Sequence, residues 1–313
     1  MKLRVTTGLA ATAIGAIVIA SLPFLMSGYH QGLATKVAVF FIAILGLDIL
    51  TGYTGQISIG HGAFMALGGY TTAIMSHYHN TNLILTLPLA FVITFACGIL
   101  VGVPALRFSG VYLALATFAL AVSVPQLPLK FSKFTGGSLG IQTSHAVSHA
   151  WLYGVSWAAA AMLYVVAWLL LRGRTGRAFR AVRDSELAAV STGVSLPIYK
   201  ILAFGVSAAY AGVAGSLFVL VTNGFAQPNE FGVVLSLEVL IGAAVAGLGS
   251  LWGVLVGAAF IGLLPEISSS VPLIGSSHGQ DVVFGLMVIA IMLVLPNGFA
   301  GLLTRLARLR ART

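Results

Sequence analysis

The chain has 313 residues, of which 58% are hydrophobic, 7% are charged and 37 are glycines. A soluble domain carries about 25% charged residues, so this composition excludes a soluble enzyme, and its apolar content excludes an intrinsically disordered chain. The formal net charge of +9 indicates Lys and Arg retained on one side of a membrane, with no nucleic-acid partner. We therefore predict an all-α, polytopic membrane protein with a single transmembrane domain over residues 1–313.

Apolar runs predict about ten transmembrane or re-entrant helices. A span needs about 20 apolar residues, so the shorter runs must be extended, buried among neighbours or re-entrant. In chain order the runs are Gly8–Met26, Leu33–Leu50, Ile57–Met75, Leu83–Val103, Val111–Val124, Trp151–Leu171, Ile201–Val221, Val233–Leu248, Leu251–Leu264 and Val282–Leu295. Eight full spans remain an alternative to ten. The stretch Val233–Leu264 admits two spans, one long tilted helix or a re-entrant pair.

The first run is interpreted as a span, because its length exceeds the roughly 7–15 apolar residues of a signal peptide. Basic residues then orient the chain. Lys2 and Arg4, the Arg172–Arg183 cluster and the Arg305–Arg312 cluster are separated by even numbers of runs. They fall on one side, which the positive-inside rule makes cytoplasmic. We expect both termini and segment 172–200 to be cytoplasmic, and segment 125–150 to be external.

Motifs of covalent chemistry are missing from the sequence. The chain has no G-x-x-x-x-G-K-[ST] loop for ATP phosphates, no H-E-x-x-H and no G-x-S-x-G. His77 and His79 are interpreted as solvated imidazoles, and the single Cys97 excludes a disulfide framework. We expect a protein that is not an enzyme, with no catalytic residue, no metal and no cofactor bound by this chain.

The sequence pattern of the segment Gly176–Lys200 is typical of a soluble amphipathic helix. It predicts two short helices joined at Asp184-Ser185, with Ser185 as the N-cap of the second. Gly193 suits the position after a helix end, and Pro197 is expected to block continuation. Such a segment fits a groove of another protein, or it lies along the bilayer with its arginines on lipid phosphates.

Polar and acidic residues at membrane depth mark a candidate pathway. The glycine-rich stretch Gly52–Tyr70 carries Gln56, Ser58 and His61, and it predicts either tight helix packing or a broken helix along a substrate route. Asp48 and Glu238 are intramembrane acids that need partners or an interface. They are also the basis of an ion-coupled alternative.

Four segments resemble a known family: Thr51–Met75, Thr135–Ile141 (TGGSLGI), Gly176–Phe218 and Ala246–Glu266. They are similar, in order, to LivM-type permeases of branched-chain amino acid ABC importers, a likeness that extends from about Val37 to Gly301. The glycine-rich stretch is shared more widely, with urea permeases among others. The sequence departs from the family at Asp48, where an asparagine is expected.

The resemblance implies a type II-like ABC importer permease of the bacterial inner membrane. The expected partners are a second homologous permease, two ATP-binding subunits that hydrolyse ATP with Mg, and an external substrate-binding protein. Residues 186–193 resemble the EAA-type loop that contacts the ATPase. The ATPase-coupling residues would be Arg177, Arg180, Arg183, Asp184, Glu186, Ala188, Ala189 and Gly193.

The expected substrate is a branched-chain or other neutral aliphatic amino acid. The candidate pathway residues are Asp48, Gln56, Ser58, His61, Phe64 and Glu238. Three alternatives remain at this point. One is a urea or short-amide ABC importer permease, another is an ion-coupled secondary transporter that uses Asp48 and Glu238, and the third is a passive channel.

Overall fold

The computed structural model describes residues 27–144 and 147–269, together with the isolated residues 285, 286, 289, 293, 298, 299 and 301. The first expected run, Gly8–Met26, lies outside the described residues, as does most of Val282–Leu295. The other eight runs appear as helices, although the total of about ten is not confirmed. The described part is therefore almost entirely helical, as the composition predicts.

Eight long helices and four short ones make up this part of the chain. The long helices are α1 (Gly28–Leu47), α2 (His61–His79), α3 (Leu83–Ala105), α4 (Val111–Ser123), α7 (His149–Arg172), α10 (Leu196–Val221), α11 (Val233–Ala246) and α12 (Gly253–Ser269). The short ones are α5 (Leu127–Lys130), α6 (Ser132–Thr135), α8 (Arg174–Asp184) and α9 (Glu186–Ser191). A π-helical turn, Asp48–Tyr53, continues α1.

Six segments of the described chain are long and apolar enough to cross a bilayer. They are Gly28–Tyr53, Leu83–Ala105, Val111–Lys130, His149–Arg172, Leu196–Val221 and Pro228–Ala246. The first and the fifth segments contain α1 and α10, and 83% of the residues in the apolar 18-residue stretch of each are buried. In the other four segments this buried share is 22–44%. Helices α1 and α10 therefore form the centre of the bundle, and the less buried helices surround them.

Glycines allow α2 to lie directly against α10. A Cβ at Gly68 would run into the backbone of Gly212, and one at Gly215 would run into the carbonyl group of Met65. The Ser216 hydroxyl donates a 3.0 Å hydrogen bond to the Gly68 carbonyl oxygen. Small residues bring two backbones together in this way in membrane helices. The tight-packing interpretation of the glycine-rich stretch is confirmed for this part of it.

The region 233–264 forms two separate helices, α11 and α12, joined by a short turn. They lie side by side, since a Cβ at Gly257 would meet the carbonyl oxygen of Gly242. Helix α12 also packs on α1, where a Cβ at Gly262 would lie 3.0 Å from Val37. Of the three arrangements that the sequence admits, a single long helix is thus excluded.

The bundle has two distinct ends. At one, the two-residue strands β1 (Ile141–Gln142) and β2 (Phe225–Ala226) pair antiparallel, and we call this the ribbon end. At the other lie α8 and α9, next to the π-helical turn and the α11–α12 turn. We call this the arginine end, after the arginines of α8.

Candidate functional site

The segment α8–α9 has the local structure that its sequence predicts. Helix α8 buries Ala178, Phe179 and Val182 against the bundle and leaves its arginines exposed. The Ser185 hydroxyl caps α9 by accepting a 3.3 Å hydrogen bond from the Ala188 N–H. Because side-chain oxygens of this kind satisfy N–H groups that a helix start leaves unpaired, Ser185 separates the segment into two helices.

The end of α9 differs from the expectation at one residue. Gly193 adopts φ +83°, where L side chains are strained, and its N–H donates to the Val190 carbonyl oxygen at 2.9 Å. Helix α9 has already ended at Ser191, so Pro197 does not block it. Pro197 instead lies in the first turn of α10. An N–H in the first turn has no partner within the helix, so the missing N–H of proline costs nothing there, and its fixed φ suits a helix.

Helix α9 exposes apolar side chains at the arginine end. Leu187 is 84% exposed and Val190 is 54% exposed, while Ala189 is buried. Among the other coupling candidates, Arg177, Asp184 and Ala188 are exposed, and Arg180 donates a 3.3 Å hydrogen bond to the Leu171 carbonyl oxygen. Exposed apolar residues that cluster on a charged end of a protein are typical of an interaction surface.

Two contacts attach the α8–α9 segment to helix α10. Glu186 forms a 2.7 Å ion pair with Lys200, whose side chain is 10% exposed. The rings of Phe179 and Tyr199 meet edge to face, with centroids 6.2 Å apart. The segment is therefore held by the bundle and does not lie free along its surface.

A third contact attaches the segment to the end of α1. The Arg183 guanidinium donates a hydrogen bond to the carbonyl oxygen of Gly52, in the π-helical turn. Asp48 opens this turn, and its Oδ1 accepts a 2.6 Å hydrogen bond from the Gly249 N–H of the α11–α12 turn. Asp48 is 1% exposed, and it lies at the arginine end. Gln56 lies close to the same turn, since its N–H donates to the Leu50 carbonyl oxygen.

Between the π-helical turn and α2, residues 55–60 are not helical. Gln56 and Ser58 lie in this unwound stretch and are buried. The Gln56 side chain donates to the Thr54 hydroxyl at 2.9 Å, and the Ser58 hydroxyl accepts from the Gly60 N–H at 3.3 Å. Unwound backbone at membrane depth is tolerated where protein or a cavity satisfies it. Here protein side chains supply at least part of that satisfaction.

His61 begins α2 and is 1% exposed. Its Nε2 lies 3.1 Å from the Ser207 hydroxyl, and its Nδ1 has no hydrogen-bond partner among the residues that the structure describes. Phe64, one turn later, belongs to the hydrophobic core. Gln56, Ser58, His61 and Phe64 thus lie on one continuous stretch of chain, and all four are buried.

Glu238 lies on α11, close in sequence to the contact between α11 and the start of α2. That contact is a 2.8 Å hydrogen bond from the Gly62 N–H to the Ser236 hydroxyl. Glu238 itself is half-buried and forms no ion pair or hydrogen bond within the described ranges. It does not pair with Asp48, which is placed at the arginine end.

Four side chains that support these stretches escaped the sequence analysis. Ser207 and Ser236 hold the start of α2, Thr117 accepts a 2.9 Å hydrogen bond from the Ile59 N–H, and Lys200 pairs with Glu186. Each partner lies at least 14 positions away in the chain. Single Ser and Thr residues in apolar helices carry no sequence signal that distinguishes them from hydroxyls bonded within their own helix.

Comparison with known proteins gives the family. The profile described as "Branched-chain amino acid transport system / permease component" matches residues 29–292, which include every described candidate residue above. The chain belongs to this family. It is accordingly a multi-pass permease component of the inner membrane, and the family does not favour the ion-coupled and passive-channel alternatives.

Individual relatives agree with the family. The chain is 31% identical over 310 residues to the "High-affinity branched-chain amino acid transport system permease protein LivM" of Salmonella typhimurium, covering 88% of this chain and 71% of that one. It is 24% identical to LivH of Escherichia coli K12, covering 84% and 92%. It is 28% identical to the "Autoinducer 2 import system permease protein LsrC" of Escherichia coli O9:H4, covering 66% and 63%. No solved structure matches the chain.

Proposed function

We propose that this permease component imports branched-chain, neutral aliphatic amino acids as part of an ATP-driven importer. The observation that carries the proposal is the family match over residues 29–292, together with the 31% identity to LivM. The chain performs no covalent chemistry in this proposal. ATP is hydrolysed with Mg on separate ATP-binding subunits, and substrate arrives from an external binding protein. A second, homologous permease completes the membrane part.

The α8–α9 segment is the proposed ATPase contact. Leu187 and Val190 supply apolar side chains that a groove of the ATPase would bury. Burying such a side chain contributes about 1.5–3 kcal/mol, enough for two of them to anchor a short helix. The contacts to α10 and α1 support the proposal, because a docked helix must be attached to the bundle to move it.

The arginine end is the proposed cytoplasmic end. It carries Arg172, Arg174, Arg177, Arg180 and Arg183 within a few turns, and Lys and Arg are retained on the cytoplasmic side of membranes. The ribbon end then faces outward, toward the binding protein. With ten spans both termini are cytoplasmic.

The unwound stretch and the start of α2 are the proposed border of the substrate route. The buried polar side chains of Gln56, Ser58 and His61 lie on the same stretch of chain as Phe64, and Glu238 provides a half-buried carboxylate on α11. An apolar wall with few polar groups suits a small aliphatic amino acid. Packed helices switch between discrete arrangements, so closure of the ATPases would open this route alternately to the two sides.

Transport by the assembled importer tests the proposal. The complex is purified from membranes with its partner subunits and reconstituted with the binding protein, and uptake of radiolabelled leucine is measured with and without ATP. We expect uptake that requires ATP, competition by isoleucine and valine, and no competition by urea. Leucine uptake without ATP contradicts the importer mechanism, while ATP-dependent uptake of urea but not leucine contradicts the substrate class.

A further inference from the structure

The corner between α8 and α9 is attached to both central helices of the bundle. Arg183, in the last turn of α8, donates a hydrogen bond to the Gly52 carbonyl oxygen at the end of α1. Three residues later, Glu186 begins α9 and pairs with Lys200 of α10 at 2.7 Å. The spans that contain α1 and α10 are the two with 83% burial. One side chain on each side of the corner thus reaches one central helix.

The contact with α1 lies in a junction where three chain segments meet closely. A Cβ at Gly52 would collide with the Asp48 carboxylate. Gly249, at φ +83°, has room for no side chain, since its Cβ would lie 2.8 Å from the Arg183 guanidinium and 3.3 Å from the Gly52 oxygen. The end of α1, the end of α8 and the α11–α12 turn are therefore in direct contact, and displacement of one must displace or break its contact with the others.

Asp48 ties the third segment into this junction. Its Oδ1 holds the Gly249 N–H at 2.6 Å, and its Oδ2 has no hydrogen-bond partner among the residues described. The side chain is 1% exposed. A carboxylate buried this deeply is costly unless charges and N–H groups face it. Here the Gly249 N–H binds it directly, and the Arg183 guanidinium lies nearby without forming an ion pair with it.

We infer that Arg183 and Asp48 are positioning residues of the transport cycle. Together with Gly52 and Gly249 they form a junction latch that carries movement of the α8–α9 corner to α1 and to the α11–α12 turn. The latch deepens the proposed function and rests on it. The contact with α1 lies in a π-helical turn, and such turns are frequent at functional sites. Asp48 acts in the latch through its contact with the Gly249 N–H.

The test measures leucine transported per ATP hydrolysed by the complete importer in proteoliposomes with its binding protein. Arg183→Met keeps the aliphatic stem that packs beside Gly55 and removes the hydrogen-bond donors, while Arg183→Lys restores a cationic donor. Arg174→Met is the matched control. It removes an exposed arginine from the same helix that makes no side-chain hydrogen bond or ion pair in the described ranges.

We expect Arg183→Met to co-purify with the ATP-binding subunits and to hydrolyse ATP, but to transport about tenfold less leucine per ATP, the order expected from losing one charge-assisted hydrogen bond. Arg183→Lys should recover part of the loss, and Arg174→Met should match the wild type. A wild-type ratio in Arg183→Met, or an equal fall in Arg174→Met, overturns the latch.

If Arg183→Met does not assemble with the ATP-binding subunits, variants of Asp48 test the latch instead. Asp48→Asn keeps an oxygen acceptor for the Gly249 N–H and should retain the transport-to-ATP ratio, while Asp48→Leu removes the acceptor and should lower that ratio or the yield of complex. Equal ratios and yields in the two variants overturn the latch. Leucine uptake that needs no ATP in the wild type removes the proposed function, and the latch with it. ATP-dependent uptake with unaltered ratios in the variants removes the latch alone.

Discussion

Arg183 donates a hydrogen bond to the backbone carbonyl oxygen of Gly52, although 131 positions separate the two residues. The donor ends the helix that precedes the EAA-like residues 186–193, and the acceptor belongs to the π-helical turn at the end of the central helix α1. The contact therefore connects the proposed ATPase contact with the centre of the bundle.

Leu187→Asp should weaken the contact with the ATP-binding subunits. Leu187 is 84% exposed, and placing a carboxylate in an apolar groove loses the roughly 1.5–3 kcal/mol of its burial and adds a desolvation cost. We expect affinity to fall at least about tenfold, measured by titrating ATP-binding subunits onto the permeases in detergent. Leu139→Asp is the control, because Leu139 is 81% exposed at the ribbon end. Equal affinity in the two variants would contradict the docking role of α9.

Lys200→Met should loosen α9 from α10. The substitution removes the ion-pair partner of Glu186. Because the Glu186 side chain is half-exposed, we expect the free energy of unfolding to fall by only about 0.5–1 kcal/mol. The ratio of transport to ATP hydrolysis should fall as well. The exchanged pair Glu186→Lys with Lys200→Glu should recover part of both losses, since the ion pair can reform with opposite polarity. An exchanged pair that performs worse than Lys200→Met would contradict the attachment of α9 through this ion pair.

Gly215→Ala should destabilise the centre of the bundle. The new methyl group would run into the Met65 backbone carbonyl, and α2 and α10 cannot separate without losing their packing. Overpacking of this kind costs about 1–3 kcal/mol, measured by thermal unfolding in detergent. Gly154→Ala is the matched control, since a Cβ at Gly154 meets nothing within 4 Å and alanine favours the helix. A loss of equal size in Gly154→Ala would remove the packing argument.

Ser236→Ala should destabilise the start of α2. It leaves the Gly62 N–H without its 2.8 Å acceptor, and an unsatisfied buried donor costs about 1–3 kcal/mol. Ser156→Ala provides the comparison, because the buried Ser156 hydroxyl has no hydrogen-bond partner in the part of the chain described. Its removal should be neutral or stabilising. The two thermal unfolding temperatures distinguish the effects, and a neutral Ser236→Ala would show that water or another acceptor replaces the hydroxyl.

Cysteine labelling should place the two ends of the bundle on opposite sides of the membrane. In a Cys97→Ser background, Leu187→Cys and Leu139→Cys each present one exposed thiol, at the arginine end and the ribbon end respectively. A membrane-impermeant maleimide is added to intact spheroplasts that express the permease without its ATP-binding subunits. It should label position 139 and spare position 187 until the membrane is opened. The reverse pattern would invert the proposed orientation.

Local patterns were sufficient for the long helices and for the capped start of α9. Apolar runs placed the eight described long helices, because the length of a span is set by the bilayer and each helix satisfies its own backbone hydrogen bonds. Ser185 and Gly193 predicted the limits of α9, since capping involves residues within one turn. Pro197 was placed on the wrong side of a helix boundary, because proline suits the first turn of a helix as well as the stretch beyond a helix end.

The candidate site was predicted less completely. Gln56, Ser58, His61 and Phe64 are adjacent in sequence, so their common location follows from the chain itself. Asp48 and Glu238 were grouped by charge alone, and the structure separates them, with Asp48 at the arginine end and Glu238 on α11. Their surroundings depend on long-range packing, for which a single sequence contains no pattern.

The sequence alone determined that this is a helical membrane protein with a basic, capped, amphipathic segment on one side, because composition, periodicity and capping act over a few residues. Tertiary structure decided that Arg183 reaches Gly52, that Asp48 holds the Gly249 N–H, and that Glu186 reaches Lys200. The first two contacts arise where Gly52 and Gly249 let distant segments of the chain approach closely. Their geometry depends on how all the helices pack together, which is why the attachment of the coupling segment to the centre of the bundle became visible only in the folded chain.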